Sequence, residues 1–435
     1  MLRNMVIRRI PEDFLVTERL EMKYELGVDA SPTVGPEPAR YGLYKMRKRS
    51  MTTPDAVRTI ARELRMSPGR ISYGGLKDRH AVTVQHITIE LDPAHRRSLP
   101  ETLDLQLGED SGVAIKSLGY TNTPMTAEAI AANLFRIVIR RCTRADAEML
   151  YGNADALRDG NGLLLTNYYG SQRFGSARHG QGWVGRSLID GDYETALKLT
   201  LASPARKDSG PLRDFTRLCA EKWGNWSELL EESSPMLPER AAIAALAAGQ
   251  PFDRAYQALP LFLRELHVDA FSSLLWNGMA LELARGLDAE APERRDDFVQ
   301  LVFPQPAKVT AAYRQLAMPH LSPRTTLAEP WGEAAKNVLR EHKLTLPQLR
   351  VAAVELPAQP AGRPAVNEAG RELPPARQPN FDTFTRPLFV MAEKFTMSEP
   401  AADEFSRGEL AKIEVAFSLP RGSYATVLLR ALGQC

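Results

Sequence analysis

Gly74-Gly75-Leu76-Lys77-Asp78-Arg79-His80-Ala81-Val82-Thr83-Val84-Gln85 is the stretch on which the reading of this chain turns. It lies between a short apolar run, Ile71-Ser72-Tyr73, and a longer one from Val84 to Leu91. Two adjacent glycines let a backbone turn sharply or approach another group closely. One acid follows, flanked by Lys77 and Arg79. A carboxylate beside cations stays ionised and acceptor-only. That describes a nucleophile or base held ready. It describes a solvated charged turn equally well, and such turns are the commoner object.

Downstream, Thr83, Gln85, Ile87, Ile89 and Leu91 alternate onto one side of a strand. Thr83 and Gln85 form its polar end, placed either to orient the Asp78 loop or to satisfy the turn itself. Upstream, Thr53-Pro54-Asp55 predicts a helix start, with Thr53 as N-cap and Pro54 at the first position. Val57, Ile60, Ala61 and Leu64 then recur with helical spacing, and Arg58, Arg62 and Arg65 occupy the other face. From Pro38 to His80 there are eleven Lys or Arg against Asp55, Glu63 and Asp78. A basic stretch around a candidate site suits a phosphate backbone, or is a solvated helix face.

Further out, Arg8 to Glu18 reads as extended, with Phe14, Val16 and Glu18 on one face. Tyr41 to Met46 is a strand, and residues 25 to 40 form a loop. Thr126 to Ala132 has a helical look, and Asn133 to Arg141 is a strand with Asn133, Phe135, Ile137 and Ile139 on one side. An amide beside an aromatic ring can read the edge and stack on the face of a base; a core Phe beside a capping Asn is the plainer alternative. Asp146 to Leu157 is helical. Asn167 to Gly175 interleaves Tyr168, Tyr169, Arg173 and Phe174 between glycines, for stacking and phosphate contact or for a packed turn, and Arg178, His179 and Gly180 extend it. At the end, Ile413, Val415, Phe417 and Leu419 alternate as a strand. After Pro420 to Gly422, a helix carries Tyr424, Val427, Leu428, Ala431 and Leu432, with Gly433 as its cap.

A chain of 435 residues predicts two domains. Composition, at 44% hydrophobic and 25% charged, is that of a soluble globular protein. No run of about 18 apolar residues predicts a membrane span, and the N-terminus lacks an apolar signal core and reads as a mature start. Cys142, Cys219 and Cys435 are few and scattered, which suits a reducing cytoplasm. No Cys/His spacing predicts a metal, and the near-neutral net charge of +2 says little about partners. From about Gly185 the chain becomes Ala- and Leu-rich and helical, as in Leu261 to Arg285. The prolines between 357 and 387 mark a loop returning to the first domain.

The string from Gly74 to Gln85 resembles the signature of the TruD family of pseudouridine synthases. Three more stretches match that family in order: Ile10 to Glu18, Asn167 to Gly175, and Leu419 to Thr426. The segment from about 185 to 380 matches loosely. The resemblance implies an α+β fold: a pseudouridine-synthase catalytic domain with a central mixed or antiparallel sheet, built from 1–180 and 385–435. A TruD-specific α/β domain, 181–384, would be inserted and form one wall of an RNA-binding cleft. It implies isomerisation of uridine to pseudouridine in tRNA, at uridine 13 of the D arm, with other RNAs left open. Asp78 would be the nucleophile. Phe14, Asn133, Phe135, Tyr424, Arg8 and Gln85 would bind substrate. Where the family carries a lysine this chain has Arg8, and Ala132 replaces a glycine before Asn133. No cofactor and no metal is expected, the partner is tRNA, and the protein would act as a cytoplasmic monomer. Two rivals stand beside this: a non-catalytic RNA-binding protein on the same scaffold, and a hydrolase using Asp78 on a small substrate.

Overall fold

The computed structural model describes residues 5–25, 33–34, 37–91, 99–205, 208, 210–352, 379–406 and 408–434. Most of the Pro-rich segment, part of the 25–40 loop, and Cys435 lie outside them, as do the side chains of Arg178 and His179. The chain divides into two compact units, residues 1–165 with 390–435, and residues 166–389.

The first unit is built on a twelve-stranded sheet. Its strands are β1 (Phe14–Leu20), β2 (Tyr41–Arg49), β3 (Ile71–Tyr73), β4 (Val82–Glu90), β5 (Thr102–Gln106), β6 (Gly112–Thr121), β7 (Ile130–Cys142), β8 (Gly162–Thr166), β9 (Phe389–Met397) and β10 (Ala411–Pro420), with two short edge pieces. The order is β8-β9-β10-β7-β1-β4-β2-β6-β5, with β3 also on β4. Pairing is antiparallel except between β1 and β4, so the sheet is mixed. Strand β4 is central and nearly all buried, as expected where both faces are covered.

Register decides which side chains share a face. Val16 pairs with Thr83 and with Phe135, Phe135 with Phe417, and Thr83 with Lys48. With a side-chain period of two, Phe14, Glu18, Asn133, Phe135, Phe417, Thr83, Gln85, Met46 and Lys48 therefore stand on one face. Helix α1 (Thr53–Glu63) packs on that face: Ala56, Val57, Ile60 and Ala61 form one core with Tyr44, Met46, Ile87, Ile89, Val113 and Ile115. Its N-cap is Thr52, which accepts from the Asp55 amide, and not Thr53. Helices α2 (Arg144–Ala156) and α3 (Ala425–Leu432) pair, Asn153 donating to the Leu432 carbonyl at 2.8 Å. Gly433 ends α3 at φ +98, as the sequence predicts, and a Cβ there would meet Met149 Sδ at 2.8 Å.

Two expectations are corrected. Between Thr126 and Ala132 only Ala127–Ala129 coil, as a single 3-10 turn, and β7 already begins at Ile130. Before β1 the chain is not extended throughout. Pro11–Asp13 form a 3-10 turn, and Arg8 sits in the left-handed region at φ +64.

The second unit is dominated by helices, the longest spanning Leu261–Leu287, with two short ribbons, Glu293–Arg295 on Gln300–Val302 and Ala317–Pro319 on Thr385–Pro387. The aromatic Gly-rich stretch is part of its core. Tyr168 and Phe174 are fully buried, Tyr168 donates to the Val302 carbonyl, and Tyr169 shares a 2.8 Å hydrogen bond with His320. Arg173 is paired with Asp269. The packed-turn alternative holds there. No helix among the described residues is long and apolar enough to cross a membrane.

Candidate active site

The Asp78 loop lies across the face that carries Lys48, Thr83 and Gln85, and buried side chains grip it from below. Gln85 Nε2 donates to the Gly75 carbonyl at 3.3 Å. Thr53 Oγ1 accepts from the Lys77 amide at 3.1 Å and donates to Gln85 Oε1 at 3.0 Å. Both Gln85 and Thr53 are wholly buried. Lys48, also wholly buried, places its ammonium against the carbonyls of Met51 (2.8 Å) and Asp78 (2.7 Å). Burial pulls Lys48 down to about 8 while the negative charge of Asp78 works the other way. Gly74 is required where the loop begins, because a Cβ would stand 2.8 Å from both the Thr126 carbonyl and Ile130 Cγ1.

Lys77, next to Asp78 in sequence, has its ion pair elsewhere. Its side chain runs the other way, to Glu18, at 2.6 Å. The β1–β4 ladder ends at Thr17 and Val84, and Glu18 accepts the next free amide, that of His86, at 2.8 Å. Burial opposes the charge on Glu18, but the His86 side chain, the Lys77 ammonium and, least, the His86 amide outweigh it and hold the carboxyl below its usual range.

Arg8 faces the Asp78 carboxylate: its guanidinium donates to Oδ2 at 3.1 Å and lies over the Phe14 ring at 4.1 Å. Its left-handed backbone is stabilised from behind. The Asp13 carboxylate accepts from the amides of Arg9 and Ile10. Asp13 is bound in turn by buried Arg140, which also pairs with Asp403 at 2.9 Å. This buried cluster fixes the turn from which Arg8 reaches out.

An aromatic row continues from there. Phe14 meets Phe135 edge to face at 6.3 Å, and Phe135 stacks on Phe417 at 5.3 Å. Phe14 is only 1% exposed, covered by Arg8, whereas Phe135 remains part-exposed. Asn133 stands one step along the strand from Phe135, and its Oδ1 is buried without a hydrogen-bond partner among the described residues. Tyr424 is half-buried at the N-cap of α3, four residues beyond β10, whose Pro420 pairs with Ala132.

Arg8, Phe14, Asp78 and Phe135 thus form one chain of contacts. Strand register sets Asn133 on the same face as Phe135, whereas Tyr424 lies beyond the end of β10, outside the paired strands. Gln85 lies beneath the loop with both amide atoms engaged, as an anchor rather than an exposed contact. Sequence reading missed Lys48, Thr53, Glu18 and the Asp13–Arg140–Asp403 cluster. Face alternation in β2 offered a signal for Lys48, since it shares a parity with Tyr44 and Met46. Among the described residues no group of three or more His, Cys, Asp or Glu could hold a metal ion.

This arrangement groups a carboxylate, a planar cation and a part-exposed Phe135 backed by buried Phe14 and Phe417, with the unpaired Asn133 amide oxygen buried on the same face. A family model described as tRNA pseudouridine synthase D (TruD) matches residues 3–432. A Methanococcus maripaludis relative named "Probable tRNA pseudouridine synthase D 1" is 24% identical over 451 residues, covering 98% of each chain. The Aquifex aeolicus tRNA pseudouridine synthase D is 27% identical, over 98% of this chain and 97% of its own. In fold the chain is similar to a Methanosarcina mazei crystal structure provisionally described as a tRNA pseudouridine synthase D. That match has a TM-score of 0.63 at 21% identity and covers 99% of this chain and 93% of that one.

Proposed function

The chain belongs to the tRNA pseudouridine synthase D family, and from that premise we propose that it isomerises uridine 13 in the D arm of tRNA to pseudouridine, with Asp78 as nucleophile. The observation that carries the reading is the Asp78 carboxylate held by Arg8 beside a wall made of Phe14, Phe135 and Phe417. The isomerisation breaks the C1′–N1 bond and makes C1′–C5; the proton on C5 leaves and N1 takes one up, so the atoms balance. No electrons are gained or lost. A carboxylate serves this by adding to C1′, by adding to C6 of the ring, or by assisting formation of a glycal. Each route needs the oxygen at the sugar–base junction and the base out of its stack.

Arg8 aims the carboxylate and balances its charge until the uridine arrives. Phe135 supplies a face for the extruded ring, with stacking of about 1–3 kcal/mol per base. The unpaired Oδ1 of Asn133 accepts from N3–H of uracil, which cytosine lacks. Tyr424 closes the other side, and Gln85 acts through the loop it holds. The arginines of α1 and its approaches meet phosphates. Residues 181–384 act as an inserted RNA-binding domain. The protein works as a monomer alongside cytoplasmic tRNA and needs neither metal nor cofactor.

The test is release of tritium from tRNA carrying 5-tritiated uridine. Wild-type release that stops in Asp78→Ala, with tRNA still bound, supports the reading. A wild type that binds tRNA and releases nothing leaves a non-catalytic RNA-binding protein. Mapping pseudouridine in tRNA from a deletion strain tests the position: loss at a site other than 13 removes that assignment.

A further inference from the structure

Leu76 stands two residues before Asp78 with 69% of its surface exposed. Apolar side chains in water are common singly, so exposure alone carries little. The way this one is held carries more. The peptide group on each side of it is fastened from below, the Gly75 carbonyl by Gln85 and the Lys77 amide by Thr53. Those two anchors are buried and bonded to each other at 3.0 Å. Lys77 is tied down to Glu18 and the Asp78 carbonyl to Lys48. The loop cannot fold Leu76 inward without releasing these bonds. A clamp of buried polar groups thus presents one apolar side chain outward, beside the carboxylate.

Resting on the reading of this chain as a uridine isomerase, we propose that Leu76 is the wedge that enters the RNA stack where the target uridine leaves it. Extruding a base opens a gap between its neighbours, and an apolar side chain inserted there keeps the gap from closing. Leu76 and Asp78 share one short loop, so one approach seats the wedge and brings the carboxylate to the sugar. A leucine fits this task because it stacks with no base preference and forms no hydrogen bond that the RNA must break.

The test uses tRNA with 2-aminopurine beside the target uridine, so that unstacking raises fluorescence. Wild type, Leu76→Ala and Leu76→Met are compared for that rise, for single-turnover pseudouridine formation, and for tRNA affinity. The expected result is a loss of most of the rise and of about tenfold in rate for Leu76→Ala. Leu76→Met, still apolar and of similar length, restores both to within about threefold, and affinity changes little. Leu76→Ala with an unchanged rate overturns the wedge, and so does a lost rate with the fluorescence rise intact, which marks a disturbed loop. Wild type that makes no pseudouridine in any tRNA overturns the functional reading itself, and the wedge with it.

Discussion

Arg8 and Asp78, seventy residues apart, are joined by a 3.1 Å hydrogen bond between ions whose side chains are 24% and 27% exposed. Pairs this open to solvent contribute only about 0–1 kcal/mol to folding. The contact therefore matters for aim more than for stability. Arg8→Lys keeps the charge and loses both the planar fork and the stack on Phe14. We expect its thermal midpoint to stay near wild type while turnover falls about tenfold or more, since small displacements of a reacting group are costly. Calorimetry and single-turnover rates on the same preparations check this. Equal losses in both would show a structural role.

Glu18 predicts the opposite balance. It is buried with Lys77, and removing one partner of a buried pair costs about 3–5 kcal/mol because the other charge is stranded. Glu18→Ala should lower the unfolding midpoint strongly. Glu18→Gln with Lys77→Met, which removes both charges, should be the more stable of the two. A double variant as unstable as the single would contradict the pairing.

Lys48 gives a pH signature. Burial lowers it to about 8, against an ordinary 10.5, with Asp78 opposing. Between those values the unfolded chain still holds a proton that the folded chain has released. Folding stability therefore gains with rising pH across that window. Below pH 8 both states are protonated and the gain is absent. Lys48→Met removes the group. The midpoint of wild type minus that of Lys48→Met should rise from pH 7.5 to 9.5, and a difference flat with pH would count against a buried ammonium.

Asn133→Ala should separate stability from activity. The unpaired Oδ1 now carries a desolvation cost of about 1–3 kcal/mol. Deleting it should leave stability equal or higher, while turnover of uridine falls. Denaturant titration with a rate assay tests both, and an unstable variant would mean that the amide serves the strand.

Much of this was legible because strands have a period of two. Phe14, Asn133, Phe135 and Gln85 could be set on faces by counting, and register then brought those faces together. What could not be counted was which distant partner each charge would choose. Lys48 reads as a surface cation within a basic run, yet it is wholly buried, because three backbone carbonyls replace its water. Lys77 sits next to Asp78 in sequence and pairs with Glu18, since successive side chains leave a backbone in different directions. At the helix start, Thr52 and Thr53 are chemically alike. One caps α1 and its neighbour reaches the Asp78 loop, a division that only the packing of α1 on β4 settles.

The most direct measurement is single-turnover pseudouridine formation in tRNA by Asp78→Asn, which keeps the size of the side chain and removes its charge. With Asp78 as nucleophile, the rate falls at least about a thousandfold below wild type, with tRNA affinity within about threefold. A variant that turns over tRNA at the wild-type rate would contradict that role.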